Sequence, residues 1–250
     1  MPERPAAIVT GGDRGIGAAV ARALGAEGYN VAVNFVADEE SAGHVIQELR
    51  GRGAKAVAIR ADVSREQDVL GLFVTAESAL GPIRALVNNA AITGGLCRVE
   101  AIDAAAVARM LAVNITGTMI CSREAVRRMS TRSGGAGGAI VNISSLAART
   151  GGSGEWVHYA ASKGAINSFT IGLAREVADE GIRVNAVAPG LIETGLHAAN
   201  GVPDRVRRLS PAIPMQRPGT VDEVAAGVSW LLSDAASYVT GAILEIGGGR

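Results

Sequence analysis

Tyr159 and Lys163 stand four residues apart in the run Tyr159-Ala160-Ala161-Ser162-Lys163. On a helix, residues at this spacing share a face, one turn apart. A phenol is a poor acid at neutral pH, with an ordinary pKa of about 10. A cation held beside it favours the phenolate. Such a pair can give a proton to a substrate oxygen or take one from it. Alone the spacing is a weak sign, because Tyr and Lys meet this way in many helices. The elements that position the two side chains decide what it means.

Short apolar runs alternate with longer helical patterns along the chain. Strands are expected at 6–10, 30–35, 55–59, 85–87, 140–143, 184–187 and 242–246. Helices are expected at 15–27, 38–52, 64–80, 103–129, 155–180 and 221–233. Ser64 and Gln67 read as a capping box for the third helix. Continuously apolar strands between helices imply a parallel sheet covered on both faces. The expected class is therefore α/β: a single-domain, Rossmann-type, doubly wound parallel sheet of about seven strands, spanning residues 1–250. The glycine-rich stretch 133–138 is a loop within that domain, because the alternation continues across it. Residues 191–218 carry Pro203, Pro211, Pro214 and Pro218 and break the rhythm, as a substrate lid would.

The 24 basic and 24 acidic side chains balance, which gives no electrostatic case for nucleic acid or an anionic membrane surface. Hydrophobic residues are 48% and aromatics 3%, so Ala, Val, Ile and Leu must build the core. Cys97 and Cys121 form no disulfide framework, and neither they nor the three histidines have metal-ligand spacing. No metal is expected. The N-terminus lacks the pattern of a secretory leader, and no stretch reads as apolar for long enough to span a bilayer. A cytoplasmic protein in a reducing compartment is expected.

Thr10-Gly11-Gly12-Asp13-Arg14-Gly15-Ile16-Gly17 follows the first strand and opens the first helix. Glycines let backbone approach a ligand closely, and a helix N-terminus favours a pyrophosphate. The spacing G-x-x-x-G-x-G is not the common G-x-G-x-x-G, but its position after the first strand points to a nucleotide. The second strand ends Asn34-Phe35-Val36-Ala37, without an acid to hold ribose hydroxyls. Asp38 reads as a helix cap. Arg14 offers a partner for a 2′-phosphate. NADP(H) is favoured, with NAD(H) as the alternative.

The turn, Asn88-Asn89-Ala90, Asn114, Ser145, Tyr159-x-x-x-Lys163 and Pro189-Gly190 occur in the order seen in short-chain dehydrogenases/reductases. The chain resembles that family over essentially its whole length. The resemblance implies interconversion of a ketone and a secondary alcohol by hydride transfer. It makes Ser145 the partner of the substrate oxygen and Tyr159 the general acid in reduction and base in oxidation. Lys163 would lower the Tyr159 pKa and hold the nicotinamide ribose, and Asn114 would anchor a water chain. Ser144 competes with Ser145. The gap from Ser145 to Tyr159 is one residue longer than the family's usual spacing. Implied cofactor contacts are Gly11, Asp13, Arg14, Gly15, Ile16, Gly17 and Asn34, the adenine-side pair Asp62 and Val63, then Asn89 and Ala90. Tyr159, Lys163, Pro189, Gly190, Ile192 and Thr194 complete them. Ala91 stands where the family usually has Gly. Glu245-Ile246-Gly247-Gly248-Gly249 replaces a frequent Asp-Gly-Gly, a change with no physical account at this level.

The implied partner is a small carbonyl or alcohol. Ile92, Leu96, Trp156, Leu191, Leu196 and Met215 are expected along its pocket, with Glu155, Glu193 and His197 as polar additions. His158 is expected at the surface or pocket edge. Two subclasses look close: 3-oxoacyl-thioester reductases and sugar or polyol dehydrogenases, the second being the NAD(H) alternative. Asp179-Glu180 argue against an acyl carrier protein as partner, whereas Arg205, Arg207 and Arg208 argue for one or form a solvated charge run. A non-catalytic NADP-binding regulator is the third alternative, disfavoured by the intact Ser145, Tyr159 and Lys163. The resemblance also implies a homodimer or homotetramer, paired through the two long helices.

Overall fold

The computed structural model describes residues 4–195 and 199–250. Strand β1 (Ala6–Val9) is buried at every position. Its side chains alternate, as strand geometry requires: Ala7 and Val9 enter one core, Ala6 and Ile8 the other. Burial on both faces is the mark of a central strand in a parallel sheet. β1 pairs with β2 (Asn30–Phe35) on one side and β4 (Ile83–Asn88) on the other. With β3 (Ala56–Arg60), β5 (Gly138–Ile143), β6 (Ile182–Pro189) and β7 (Ile243–Ile246), the order is β3-β2-β1-β4-β5-β6-β7. Every pairing is parallel. The expected seven-stranded doubly wound sheet is present.

The helices are α1 (Gly15–Ala26), α2 (Glu39–Gly51), α3 (Glu66–Leu80), α4 (Ala104–Leu111), α5 (Thr118–Met129), α6 (Ala147–Thr150), α7 (Val157–Val177), α8 (Arg205–Leu209) and α9 (Val221–Leu232). α1, α2 and α9 cover the face holding Ala7 and Val9. α3, α5 and α7 cover the face holding Ala6 and Ile8. The chain winds outward from β1 to β3, then returns to lay β4 against β1. At this reversal, loops diverge beyond the carboxyl ends of β1 and β4, where open α/β sheets bind ligands.

Three local expectations change. α3 starts at Glu66 with no side-chain cap, and Ser64 instead donates to Asp62 Oδ1 at 2.7 Å. The capping box lies at α9, between Thr220 and Glu223. The single long helix expected over 103–129 is interrupted by a π segment, Ala112–Gly117. The run Ala104–Met129 is, by length and composition, long and apolar enough to cross a membrane, which the sequence was not expected to contain. In the fold it turns Met110, Cys121, Ala125 and Met129 into the core. Its last turns carry Glu124 ion-paired to Arg123, Arg127 and Arg128.

The two thiols differ in the same way. Cys121 is buried, and desolvation pushes its thiol up to about 12, whereas Cys97 is partly exposed. A thiol reagent at mildly alkaline pH will modify one cysteine per folded chain and both in denaturant. Two fast-reacting thiols in the folded protein would contradict this packing.

Candidate active site

The turn after β1 is held by hydrogen bonds to the loop after β4. Thr10 Oγ1 accepts the N–H groups of Asn89 at 2.9 Å and Ala90 at 3.0 Å. Asn89 Nδ2 donates back to the carbonyls of Thr10 at 3.0 Å and Gly11 at 2.8 Å. The loops after β1 and β4 are thus one unit. Gly11 and Gly15 take positive φ values of 58° and 54°, which only glycine adopts freely. A Cβ on Gly17 would stand 2.1 Å from the Gly11 carbonyl oxygen. These residues leave room for a phosphate-bearing group at the start of α1, whose cap, Arg14, makes no side-chain capping bond. The first N–H groups of a helix have no partner within it.

The Asn34 side chain is buried beside the turn, where Oδ1 accepts the Gly11 N–H at 3.2 Å and Nδ2 donates to Ala61 O at 2.8 Å. It shapes the cradle. Asp38 caps α2, as expected, accepting from Ser41 N at 2.9 Å and Ser41 Oγ at 2.8 Å. Those bonds hold its carboxyl below the usual range, helped by the charge of Arg14. The Arg14 side chain is 80% exposed, with Asp13 at 3.8 Å. Asp62 accepts from Ser64 and from Arg109 Nη2, the latter at 2.7 Å. Burial opposes its charge, but the bonds from Arg109 and Ser64 win and hold its carboxyl low. Val63 packs under the π segment, where a Cβ on Gly117 would come within 2.9 Å of it. Ile16 packs partly against the core.

Beyond β5, the two serines part company. Ser144 is buried and donates to Asn167 Oδ1 at 2.6 Å. Ser145 shares a hydrogen bond with the Tyr159 phenol and accepts the Ala147 N–H at 3.1 Å. Of the two, Ser145 is the serine beside the phenol. Between Ser145 and Tyr159 the chain forms α6 and passes through the left-handed glycines Gly151, Gly152 and Gly154. Lys163 is 3% exposed. Its Nζ donates to Ile143 O at 2.7 Å and lies 5.6 Å from the centre of the Tyr159 ring. Desolvation lowers Lys163 to about 8. It also raises Tyr159 to about 12, opposed only by the Ser145 hydrogen bond. Lys163 is not among the groups that shift the phenol here, where desolvation acts first and the Ser145 hydrogen bond opposes it.

Asn114 sits in the π segment, a distortion common at functional sites. Oδ1 accepts the Ile92 N–H, and Nδ2 donates to Ile92 O, both at 2.9 Å. A further bond reaches Ser162 Oγ at 3.1 Å. Its amide clamps the crevice wall to α7. His158 is buried rather than at an edge, with Nε2 3.1 Å from the Gly95 carbonyl that accepts from it.

On the carboxamide side, Pro189 ends β6. A Cβ on Gly190 would lie 2.8 Å from Gly247 Cα. One on Gly247 would meet Leu146 Cδ1 at 2.2 Å. The C-terminal glycine is thus a packing requirement, and Glu245 pairs with Arg149 at 3.1 Å. Together they supply the account the sequence lacked. The Ile192 side chain is buried in the core and its backbone bridges to Gly219. Thr194 is half-buried at the start of the lid segment. Ile92, Leu96 and Met215 are exposed apolar residues, whereas Leu191 is buried. Leu196 and His197 lie outside the described residues. Thr10, Ser162 and Arg109 were missed. Thr10 directly precedes the glycine turn, a usable signal. Arg109 meets Asp62 across 47 residues of chain with no local signal at all. Among the described residues, no group of three or more His, Cys, Asp or Glu could hold a metal.

A family model described as enoyl-(acyl carrier protein) reductase matches residues 11–250. An uncharacterized oxidoreductase, YgfF of Escherichia coli, is 50% identical over 244 residues, covering 98% of this chain and 99% of that one. A blue fluorescent protein from a metagenomic library, solved with NADPH, superposes with TM-score 0.90 at 34% identity, over 99% of this chain and 98% of that chain. A 7α-hydroxysteroid dehydrogenase, solved with NADH and 7-oxo glycochenodeoxycholic acid, has TM-score 0.91 at 31% identity, over 99% and 94%. With the sheet order, the joined loops and the Ser145, Tyr159 and Lys163 cluster, these likenesses settle the family: the chain is a short-chain dehydrogenase/reductase, an oxidoreductase of the class that acts on CH-OH and C=O groups.

Proposed function

We propose that the protein reduces a small ketone to a secondary alcohol with NADPH, with Tyr159 as general acid. The observation that carries this is the cluster itself: Ser145 is hydrogen-bonded to the Tyr159 phenol, and Lys163 Nζ lies 5.6 Å from the ring centre, with desolvation holding the phenol above its ordinary range. At neutral pH it keeps its proton, the state that reduction requires. When bound, a nicotinamide supplies hydride to the carbonyl carbon. Ser145 orients the carbonyl oxygen, and Tyr159 delivers a proton to it. Lys163, charged below about 8, stabilises the phenolate left behind. Gly11, Gly15 and Gly17 leave room for the diphosphate, Arg14 reaches the 2′-phosphate, Asp62 and Val63 lie on the adenine side, and Asn89 and Ala90 complete the floor. Pro189, Gly190 and Thr194 line the carboxamide. The preference for NADPH rests on the exposed Arg14 and on an Asp38 already engaged with Ser41.

The charges weighed for and against an acyl carrier protein both change. Arg205 is buried, which removes it from any basic docking face. Asp179 and Glu180 are paired with Arg132, which blunts their repulsion of an acidic partner. Leu111, Met119 and Ile171 are exposed apolar residues on the long helices, in keeping with a homodimer or homotetramer.

Tyr159→Phe will lower turnover about 10²–10⁴-fold while NADPH still binds. A wild type that binds NADPH tightly and reduces nothing across a panel of ketones and oxoesters would favour the regulatory alternative. Arg14→Ala will weaken NADPH about tenfold, the scale of one charge-assisted contact, and leave NADH nearly unchanged. Equal losses for both cofactors would remove the 2′-phosphate role. For reduction, kcat/KM will fall as pH rises through about 8, where Lys163 loses its charge. That limb will vanish in Lys163→Met, and a flat wild-type profile across this range would contradict the role given to Lys163.

A further inference from the structure

Three walls of the crevice meet on two residues, Glu155 and Trp156, in the link before α7. The Glu155 carbonyl accepts the Cys97 N–H at 3.0 Å, tying down the loop after β4. The Glu155 carboxylate pairs with Arg205 of the lid segment at 2.6 Å. The Arg205 guanidinium lies 4.5 Å over the Trp156 ring. Trp156 in turn meets Tyr159 edge-on, with ring centroids 6.3 Å apart. A second stitch joins the same walls, from Thr93 Oγ1 to Asn200 Oδ1 at 2.5 Å.

Arg205 departs from the charge run that its neighbours suggest. Its side chain is 9% exposed, against 82% for Arg207. A buried guanidinium is costly unless it is paired, and removing the partner of a buried charge is strongly unfavourable. The planar group satisfies two demands at once, an ion pair along its edge and a stack on its face, which an ammonium does not match.

We propose that Arg205 is a positioning residue that latches residues 199–218 onto Glu155 and Trp156. Through Trp156, it also fixes the attitude of the Tyr159 ring. This deepens the oxidoreductase reading above and rests on it. Opening the lid breaks the Arg205–Glu155 pair and uncovers Trp156, so the strength of the pair sets how firmly the lid holds bound substrate.

The test compares Arg205→Ala, Glu155→Gln, their double variant and Arg205→Lys in a Trp230→Phe background, where Trp156 is the remaining indole. In Arg205→Ala, Trp156 emission will shift to the red. Tryptic cutting after Arg207 and Arg208 will quicken about tenfold or more, as expected for loss of a buried charge pair. KM for a ketone that the parent turns over will rise by a similar factor, with NADPH affinity unchanged. The double variant will match Arg205→Ala, because the two changes remove one shared interaction. Arg205→Lys will recover protease resistance in part and the emission spectrum not at all. Unchanged emission and cutting in Arg205→Ala, or additive effects in the double variant, would overturn the latch. If the parent reduces no ketone, the enzymatic reading fails, while the emission and cutting results still decide the latch.

Discussion

A primary ammonium buried between a phenol ring and a strand-end carbonyl governs this site. Lys163 is removed from water, and a buried charge is tolerated only where hydrogen bonds and nearby electrons replace its hydration. Ile143 O provides one bond and the Tyr159 ring a face. For both to be in place, β5 must end at Ile143 and α7 must run back along it with Tyr159 one turn before Lys163. Ser144, bonded to Asn167 and to Lys163 O, fastens the strand end to that helix. Ser145, one residue on, is left facing the phenol. Much of the local architecture serves to keep a cation where water is scarce.

The same burial raises Tyr159 and lowers Lys163. Both shifts favour the neutral form of the group. A protonated phenol beside a marginally charged lysine suits delivery of a proton to a developing alkoxide. The joined loops after β1 and β4 put the phosphate cradle across the crevice from this pair. Their union depends on Thr10 and Asn89, which bond to backbone on both sides.

How much of this was legible in the sequence differs by feature, for physical reasons. The sheet was legible because its central strands are apolar on both faces and the runs are bounded by glycines. The π segment was not, because an inserted residue leaves the 104–129 pattern helical throughout. Tyr159, Lys163 and Ser145 could be found by order and spacing. The burial that sets their proton affinities is a tertiary property without a local signature. The hydrogen bonds of Asn34 and Asn114 to backbone far along the chain were not legible, since a motif marks a position and not the direction of an amide. Arg205 was hidden for the same reason: in sequence it is one of three arginines, and only packing separates it from the other two.

The claim at the centre is that Tyr159 holds its proton at neutral pH. The chain has three tyrosines, so NMR of protein labelled with ¹³C at the tyrosine ring carbon bearing oxygen would give three resonances. Tyr159→Phe identifies the one that matters. The account predicts that this resonance keeps its phenol shift through neutrality and titrates later than that of the fully exposed Tyr238. A phenolate shift for Tyr159 at neutral pH would contradict it.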